Sequence, residues 1–434
     1  MLAFPLTLLM ALPFALAAPR CSVKTTSAAT SAPTGSSSSS SPNITTSNTG
    51  GSNGTIAMSW FANWRTDFTV SNISWDKYTA VSWFATNPGN DPSTLDLANG
   101  LEEFVTAAHS NALMTVGGWD GSMYFSSLVG SSDNRTTFVN TIRDIAFSNG
   151  LDGIDIDWEY PGKPGLECNI VSPNDSANLL SFLQALRAAT PNITLSAAVA
   201  VTPFADSTGQ PMTDVSQFAD VLDYIEIMNY DVWGSFSSTV GPNAPLNDTC
   251  ASAGQQAGSA VSAVAAWTKA GFPSNKIILG VPAYGHSYFV SNANATGSSS
   301  TDATTGSLIA YPGFNAAQQP AGDAWNDVSG TDPCGNPQGP TGVYDFWGMI
   351  ADGFLNEDGS VASGMASRYD SCSQTPYVYN PQSQIMISYD NATSFAAKGE
   401  FVVSNNLAGF AMYETGGDYN NILIDAINSA VGRS

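Results

Sequence analysis

Eight short apolar runs recur along the chain, and segments with helical spacing of apolar side chains separate most of them. The runs are Ile56–Asn63, Thr79–Ala85, Ala112–Gly118, Leu151–Glu159, Ile193–Ala200, Tyr224–Tyr230, Lys276–Ala283 and Leu407–Tyr413. Arg135–Ser148 and Ser176–Thr190 carry apolar residues at helical intervals, and Asn149-Gly150 is typical of a helix end. Strands and helices that alternate in this way predict an α/β fold, a (β/α)8 TIM barrel of parallel strands.

The interval between the seventh and eighth runs, from Ser287 to Asn406, is too long for an ordinary strand–helix connection. A structureless loop of that length is rare in a compact domain. Because the interval contains aromatic-rich runs and two cysteines, we expect a small α+β insertion over residues 287–384, within a catalytic barrel of residues 55–434. An insertion before the eighth strand would lie at the C-terminal face of the barrel and form one wall of a cleft.

The N-terminal part of the chain predicts export. Residues 1–17 are an apolar run that ends in Ala15-Leu16-Ala17, which is typical of a secretory signal peptide. Residues 18–54 are rich in Ser and Thr, and such a segment predicts a disordered tether. The chain also contains nine Asn-x-Ser/Thr sequons, at Asn43, Asn53, Asn72, Asn134, Asn174, Asn192, Asn247, Asn294 and Asn391. This number agrees with a secreted, extracellular glycoprotein.

The stretch Gly150–Glu159 is the most informative part of the sequence. On a strand, alternate side chains share a face, so one face carries Asp155, Asp157 and Glu159 and the other carries Ile154, Ile156 and Trp158. Like charges at this spacing raise one another's proton affinity. An exposed edge strand with a solvated acidic face is the simpler alternative, but the opposite face is as apolar as a packed sheet. A row of acids at the C-terminal end of a buried strand therefore predicts a proton-handling site.

Charge and cysteine content exclude several classes of function. A formal net charge of −23 argues against nucleic acid and anionic membranes as partners. The chain has five cysteines, none in a C-x-x-C pair, and two histidines, which argues against a zinc site and histidine-based nucleophilic catalysis. We expect no metal or other cofactor. With Cys21 in the tether, the other four cysteines allow three pairings, of which we expect Cys168–Cys250 with Cys334–Cys372.

The acidic stretch also resembles a family signature, that of family 18 glycoside hydrolases, the chitinases and their relatives, including secreted fungal enzymes. The pattern that carries the resemblance is Asp152-Gly153-x-Asp155-x-Asp157-x-Glu159. Four further strand ends are similar to family motifs, namely Thr115–Trp119, Met228–Asp231, Pro282–Gly285 and Ala411–Glu414. The resemblance covers all eight strands, and three positions depart from it. Thr115 stands where the family more often has Ser. His286 stands where the family often has Arg, and Tyr413 where it commonly has Trp.

This resemblance implies a retaining, substrate-assisted mechanism, in which the 2-acetamido oxygen of the substrate attacks the anomeric carbon. Glu159 would be the general acid, Asp157 would hold the acetamido nitrogen, and Asp155 would share a proton with Asp157. Tyr230 would bind the acetamido oxygen and complete the catalytic set. Further substrate-binding residues expected are Asp231, Met228, Tyr160, Trp119, Gly118, Tyr284, Tyr413 and Trp233. Trp64 and Trp347 could also stack on sugars, whereas Asp152 falls out of phase with the inward acids and is expected to be structural.

The sequence thus predicts a monomeric secreted chitinase that hydrolyses β-1,4-linked N-acetylglucosamine polymers, with chitin or its oligomers as partner. Both endo and exo action remain open. One alternative is an endo-β-N-acetylglucosaminidase acting on N-glycans, against which the long insertion argues. The other is a non-catalytic chitin-binding lectin on the same fold. Such relatives usually lose the acid at the position of Glu159, which this chain keeps.

Overall fold

The computed structural model describes residues 54–297, 307–326 and 330–433. The predicted signal peptide, nearly all of the predicted tether, Cys21 and the first two sequons lie outside the described residues.

Eight parallel strands close into a barrel, which confirms the predicted fold class. The strands, in chain order, are β1 (Ile56–Ala62), β2 (Ala80–Pro88), β3 (Leu95–Asp96), β4 (Asn111–Gly117), β5 (Gly153–Asp157), β6 (Thr194–Val199), β7 (Tyr224–Ile227), β8 (Ile277–Pro282), β9 (Tyr284–Phe289), β10 (Gly330–Thr331), β11 (Pro337–Gln338), β12 (Val343–Asp345), β13 (Ala366–Asp370), β14 (Thr375–Asn380), β15 (Ile385–Ser388) and β16 (Gly409–Tyr413). Around the barrel the neighbours run in the order β1-β16-β8-β7-β6-β5-β4-β2, and pairing of β1 with β2 closes the ring.

The helices cover the outside of the barrel. They are α1 (Leu101–Ala107), α2 (Phe125–Gly130), α3 (Ser132–Asn149), α4 (Asp175–Ala189), α5 (Ser216–Val221), α6 (Ala260–Lys269), α7 (Asn292–Thr296), α8 (Phe346–Ala351), α9 (Ala392–Ser404) and α10 (Ile422–Ala430). The two helices predicted from periodicity correspond to α3 and α4. Gly150 ends α3 with φ 70°, a left-handed conformation that favours glycine. None of the helices in the described part of the chain is long and apolar enough to cross a bilayer.

Alternation along the strands divides the core in two. Ile154 and Ile156 of β5 point outward into the large apolar layer between the strands and the helices. A smaller cluster fills the barrel itself and consists of Met58, Trp60, Ala80, Phe84, Leu113, Ala198, Ile278 and Ala411. Since β5 has apolar residues outside and acids inside, burial of the outer face fixes its register and holds the acids in the barrel.

A second, antiparallel sheet lies between β8 and β16, which confirms the predicted α+β insertion. Its strand order is β12-β9-β15-β14-β13. A separate apolar cluster supports it, with Tyr288, Tyr379 and Met386 fully buried. The sheet begins before residue 287 and ends after residue 384, because β9 follows β8 after the single residue Ala283 and β15 ends at Ser388.

The disulfides connect Cys168 with Cys334 and Cys250 with Cys372, so the expected pairing is wrong. Their Cα atoms lie 5.5 Å and 6.4 Å apart. The expectation paired cysteines that are near in sequence. The insertion instead folds back over the barrel, so that each of its cysteines meets one from a barrel loop.

Candidate active site

The strands carry their polar side chains to one cleft at the C-terminal face of the barrel. The cleft has a volume of about 900 Å³. The expected site residues that line it are Gly118, Trp119, Asp157, Glu159, Tyr160, Met228, Tyr230, Asp231, Tyr284 and Tyr413. Asp155 and Asp157 belong to β5, and Glu159 follows two residues after its end. Asp157 and Glu159, at the cleft end of this row, are called the upper acids below. Trp158, which lies between them in sequence, turns outward and stacks on Phe125 with the ring centroids 5.2 Å apart.

Asp155 lies below the cleft, fully buried, and both of its carboxylate oxygens accept hydrogen bonds. Trp60 Nε1 donates to Oδ2 at 3.0 Å and Thr115 Oγ1 donates to the same oxygen at 2.9 Å. Ser196 Oγ donates to Oδ1 at 3.0 Å. Burial raises the pKa of Asp155, and these donors oppose the rise because they favour the charged form. Asp155 is therefore fixed as an acceptor.

Asp157 is in the opposite situation. It is 3% exposed, and Oδ1 has no hydrogen-bond partner among the described residues. Burial raises its pKa well above the ordinary range, and the neighbouring charges of Glu159, Asp155 and Glu226 raise it further. Because Asp155 is held by donors and Asp157 is not, a proton shared by the two acids would be more stable on Asp157.

The backbone around the upper acids is held by hydrogen bonds. Ser122 Oγ accepts from the Glu159 amide at 2.8 Å, and Asn169 Nδ2 donates to the Glu159 carbonyl at 3.0 Å. The Gly118 amide donates to the Asp157 carbonyl at 2.8 Å. These contacts fix the position of Glu159 although the residue lies beyond the end of β5.

Glu159 titrates near neutrality. Its side chain is half-buried at the cleft wall, and burial is the main cause that raises its pKa to about 7. A hydrogen bond from Tyr160 opposes the rise, whereas the charges of Asp231 and Asp120 add to it. A carboxyl group with this pKa carries a proton in mildly acidic solution and can give it to a bound molecule.

Asp231 approaches the cleft from the end of β7. Its backbone has φ 54°, in the left-handed region, and its amide donates to Asn243 Oδ1 at 2.9 Å. Tyr284 Oη donates to Asp231 Oδ1 at 2.8 Å, and His286 Nε2 lies 2.7 Å from the same oxygen. His286, which stands where the family often has Arg, therefore contacts Asp231 at the cleft.

Aromatic rings form the floor and the walls of the cleft. Tyr413 is the centre of the floor, with ring centroids 5.4 Å from Phe84, 6.0 Å from Trp60, 6.0 Å from Tyr230 and 6.1 Å from Tyr284. Trp119 is 46% exposed and Trp64 is 50% exposed, and both line the cleft. Exposed rings of this kind can stack on the apolar faces of sugar rings.

Gly117 and Gly118 leave room for the acid row. Both have a positive φ, of 115° and 84°. A Cβ at Gly117 would overlap the carbonyl oxygen of Asp157, and one at Gly118 would lie 3.0 Å from the ring of Phe84. The pair is required for packing, and Gly118 also lines the cleft.

Some of the residues considered in the sequence analysis do not line the cleft. Trp233 is not among the described residues that line the cleft; it is 6% exposed and packs on Tyr311 with the ring centroids 5.4 Å apart. Trp347 packs on Trp325 in the insertion at 4.8 Å. At the lower end of β5, Asp152 Oδ2 accepts from the Ala112 amide at 2.9 Å.

Sequence reasoning missed the residues that support the acids. Trp60 and Ser196 bond Asp155, Ser122 positions Glu159, and Glu226 is a fourth buried acid inside the barrel. Glu226 was visible as the single acid in the apolar run of β7. The other three have no signal in a single sequence, because their role depends on which strands become neighbours.

The arrangement can hold and deliver protons. It combines Asp155, whose oxygens are fixed by donors, Asp157, whose pKa is raised, and Glu159, a half-buried acid with a pKa of about 7, in a cleft floored by aromatic rings. Among the described residues, no group of three or more His, Cys, Asp or Glu side chains is placed to hold a metal ion.

The molecule is thus a closed parallel barrel with an inward acid row and an aromatic-lined cleft at its C-terminal face. The chain belongs to the glycosyl hydrolases family 18, whose family model matches residues 37–418.

The relatives are chitinases and chitinase-like proteins. The chain is 49% identical to a chitinase-like effector of Moniliophthora roreri over 87% of this chain and 93% of the relative. It is 29% identical to chitinase A1 of Niallia circulans over 73% of this chain and 42% of that protein. A crystal structure of a chitinase from Rhizomucor miehei superposes with a TM-score of 0.77 at 30% identity, covering 86% of this chain and 99% of the other.

Proposed function

We propose that this protein is a secreted chitinase that hydrolyses β-1,4 bonds between N-acetylglucosamine units with retention of configuration. The observation that carries the proposal is Glu159, a half-buried acid with a pKa of about 7 on the wall of the cleft, next to Asp157, whose pKa burial raises well above the ordinary range. Family membership and the chitinases among the relatives support the substrate class.

In the proposed reaction, Glu159 gives its proton to the glycosidic oxygen as the bond to the anomeric carbon breaks. The 2-acetamido carbonyl oxygen of the substrate attacks that carbon and forms an oxazolinium ion. Asp157 holds the acetamido N–H and stabilises the positive charge, and Tyr230 donates to the acetamido oxygen. Glu159, now a carboxylate, takes a proton from the water that opens the ring, which restores the acid.

Asp155 and Tyr413 support these steps from below. Asp155 accepts the proton of Asp157 when that carboxyl turns toward it, so the pair keeps one proton throughout the cycle. Tyr413 lies under the sugar at the point of cleavage and supplies a smaller stacking surface than the tryptophan common in the family.

The test is hydrolysis of N-acetylglucosamine hexamer by the wild type and by Glu159→Gln. Removing the general acid is expected to lower kcat by ~10²–10⁴-fold, with substrate binding retained. The matched control is Glu400→Gln, an exposed acid on α9, which covers the outside of the barrel. Retention of most activity by Glu159→Gln, or net inversion of the anomer first released, would contradict the proposal.

A second candidate is a protein that binds chitin oligomers without cleaving them. The name chitinase-like effector of a relative that is 49% identical favours it. Intact acids and a pKa of Glu159 near 7 favour catalysis instead. Binding of the hexamer by the wild type with no product formed between pH 4 and pH 8 would decide for the binder.

An endo-β-N-acetylglucosaminidase remains a further alternative within the family. Release of sugar from a high-mannose glycopeptide, compared with release from chitin hexamer, distinguishes the two substrates. Two disulfides, the predicted signal peptide and the sequons support action outside the cell, with chitin rather than nucleic acid or membrane as the partner.

A further inference from the structure

A small hairpin of the insertion reaches the far side of the barrel. It consists of β10, a turn and β11, residues 330–338, and is called the bridge below. Cys334 in its turn is bonded to Cys168 in the loop between β5 and α4. Asn336 Nδ2 donates to Glu167 Oε1 at 2.7 Å, and the Cys168 amide lies 3.3 Å from Cys334 Sγ. The tip of the bridge is therefore attached to the loop that follows the acid row.

The other end of the bridge is attached to the insertion. Just after β11, Thr341 Oγ1 donates to the carbonyl of Asn326 at 2.8 Å. Asn326 Nδ2 in turn donates to Asp323 Oδ1 and to Asp345 Oδ2, each at 2.9 Å. Asp345 ends β12 of the five-stranded sheet. The bridge thus connects the insertion with the loop after β5.

These two attachment points lie on opposite sides of the barrel mouth. In the closed barrel, β5 is the fourth parallel strand and β16 the eighth, so they are diametrically opposed. The insertion precedes β16 and stands on that side. The shortest path between the two sides runs over the cleft. Gln338 of β11 lines the same cleft as Glu159, and Asp332 is close enough to contribute to the raised pKa of Asp120, whose main cause is burial.

Packing contributes little to holding the bridge. Each of its strands has two residues, and all four are exposed. A hairpin of this size is marginally stable in water without other support. Among the described residues, the Cys168–Cys334 disulfide and the hydrogen bonds at Cys168 and Glu167 hold the tip on the far side.

We propose that the bridge makes the cleft a covered passage, so that a chitin chain has to enter by a free end rather than be laid in from the side. This inference rests on the proposed substrate class, N-acetylglucosamine polymers. It assigns the protein to exo or end-entry action, a choice that the sequence left open, and makes the Cys168–Cys334 bond the specificity-determining element.

Binding tests the covered passage without catalysis. In a Glu159→Gln background, chitin hexamer with two free ends is compared with a hexamer carrying a bulky group at each end. The bridged protein is expected to bind the blocked hexamer at least about tenfold more weakly than the free one. Replacing Cys168 and Cys334 by Ser should remove that difference. Equal binding of both hexamers by the bridged protein would overturn the proposal.

The second disulfide provides the matched control. Replacing Cys250 and Cys372 by Ser removes one covalent link between a barrel loop and the insertion, as the first pair does, but leaves the bridge attached. This variant should discriminate against the blocked hexamer as the bridged protein does. If both double variants lose the discrimination equally, the effect is general loosening and the proposal fails.

Turnover gives an independent reading in the catalytically intact protein. For each bond cleaved in a soluble chitin derivative, the variant without Cys168 and Cys334 should lower viscosity more than the wild type, because it can cut internal bonds. Absence of hydrolysis by every variant would refute the proposed chitinase activity, while the binding comparison would still decide about the passage. Equal viscosity loss per bond by wild type and variant would contradict end entry.

Discussion

The lower and the upper end of the acid row contain the same residue type in different surroundings. At the lower end, Asp155 accepts from three donors that use both of its oxygens. At the upper end, Asp157 is equally buried, but one oxygen has no partner among the described residues and acids lie on both sides. Two aspartates that are two residues apart on one strand thus have opposite roles, which neighbouring strands determine.

The difference between Asp155 and Asp157 affects the stability of the folded protein. Satisfied buried hydrogen bonds to a carboxylate stabilise the folded state, whereas an unpartnered buried acid among like charges destabilises it. The lower end is therefore the part of the row whose burial is better compensated, and the upper end is kept at the expense of stability because the proposed reaction needs a proton there that can move. Each prediction below tests this division.

Among the aspartate variants, Asp157→Asn should have the largest effect on turnover. The amide cannot become charged and cannot stabilise an oxazolinium ion, so we expect kcat on chitin hexamer to fall by ~10²–10⁴-fold. Stability should change in the other direction. The pKa of Asp157 is raised in the folded state, so the wild type loses stability as pH rises above the ordinary carboxyl range, and the amide removes that loss.

The measurements are steady-state hydrolysis and urea unfolding at pH 7. A variant that lost both activity and stability would show that Asp157 is part of the scaffold, and the division would be wrong.

The pH dependence of turnover should report the upper end alone. Because Glu159 must be protonated and its pKa is raised to about 7, kcat/KM should stay constant below that pH and fall about tenfold per pH unit above it. Glu159→Gln should abolish this limb and leave a flat residual rate. A limb near the ordinary pKa of a carboxyl group would mean that burial does not raise the pKa of Glu159.

Asp155→Asn should affect stability more than Asp157→Asn does, and turnover less. The amide can accept from Trp60 but then presents an N–H where the carboxylate accepted, so at least one charge-assisted bond is lost. We expect the free energy of unfolding to fall by about 1–3 kcal/mol. Urea unfolding of the two variants side by side measures it, and a larger loss of turnover in Asp155→Asn than in Asp157→Asn would reverse the assigned roles.

The features that the sequence predicted correctly are those set by local patterns along the chain. The barrel, its eight strands and the inward acids of β5 could be predicted because alternation and helical periodicity are local, and burial of one face enforces them. Tyr230, Asp231 and Tyr284 follow strand ends, so a barrel brings them to the same cleft wherever they stand in the sequence.

What could not be predicted depends on contacts between distant segments. The donors to Asp155 come from three other strands, and Ser122 and Asn169 come from two different loops. The disulfide pairing was wrong for the same reason, since it follows the path of the insertion. Trp233 lies near a predicted strand end, and that position predicted a place at the cleft, but its ring packs on Tyr311 instead.

Substitution of Glu226 is expected to have the smallest effect on turnover, and it tests whether this fourth acid takes part in proton handling. It is fully buried inside the barrel and lines a cavity of about 210 Å³ near the N-terminal ends of the strands, with Ser196 and Tyr224. Burial raises its pKa well above the ordinary range, and the charge of Asp155 adds to the rise. It is therefore protonated in the folded protein at pH values where the unfolded chain releases the proton, and stability falls as pH rises through that window.

Glu226→Gln keeps the shape and removes this titration. We expect the free energy of unfolding at pH 7 to rise by about 1 kcal/mol or more, since each unit of pKa difference is worth about 1.4 kcal/mol. Turnover should change by less than about threefold, because Glu226 is not among the described residues that line the cleft. At pH 3, where both states carry the proton, the two proteins should be equally stable, which serves as the internal control. A loss of turnover as large as that of Asp157→Asn would make Glu226 part of the proton-handling end, and the row would have four working acids instead of a scaffold below and chemistry above.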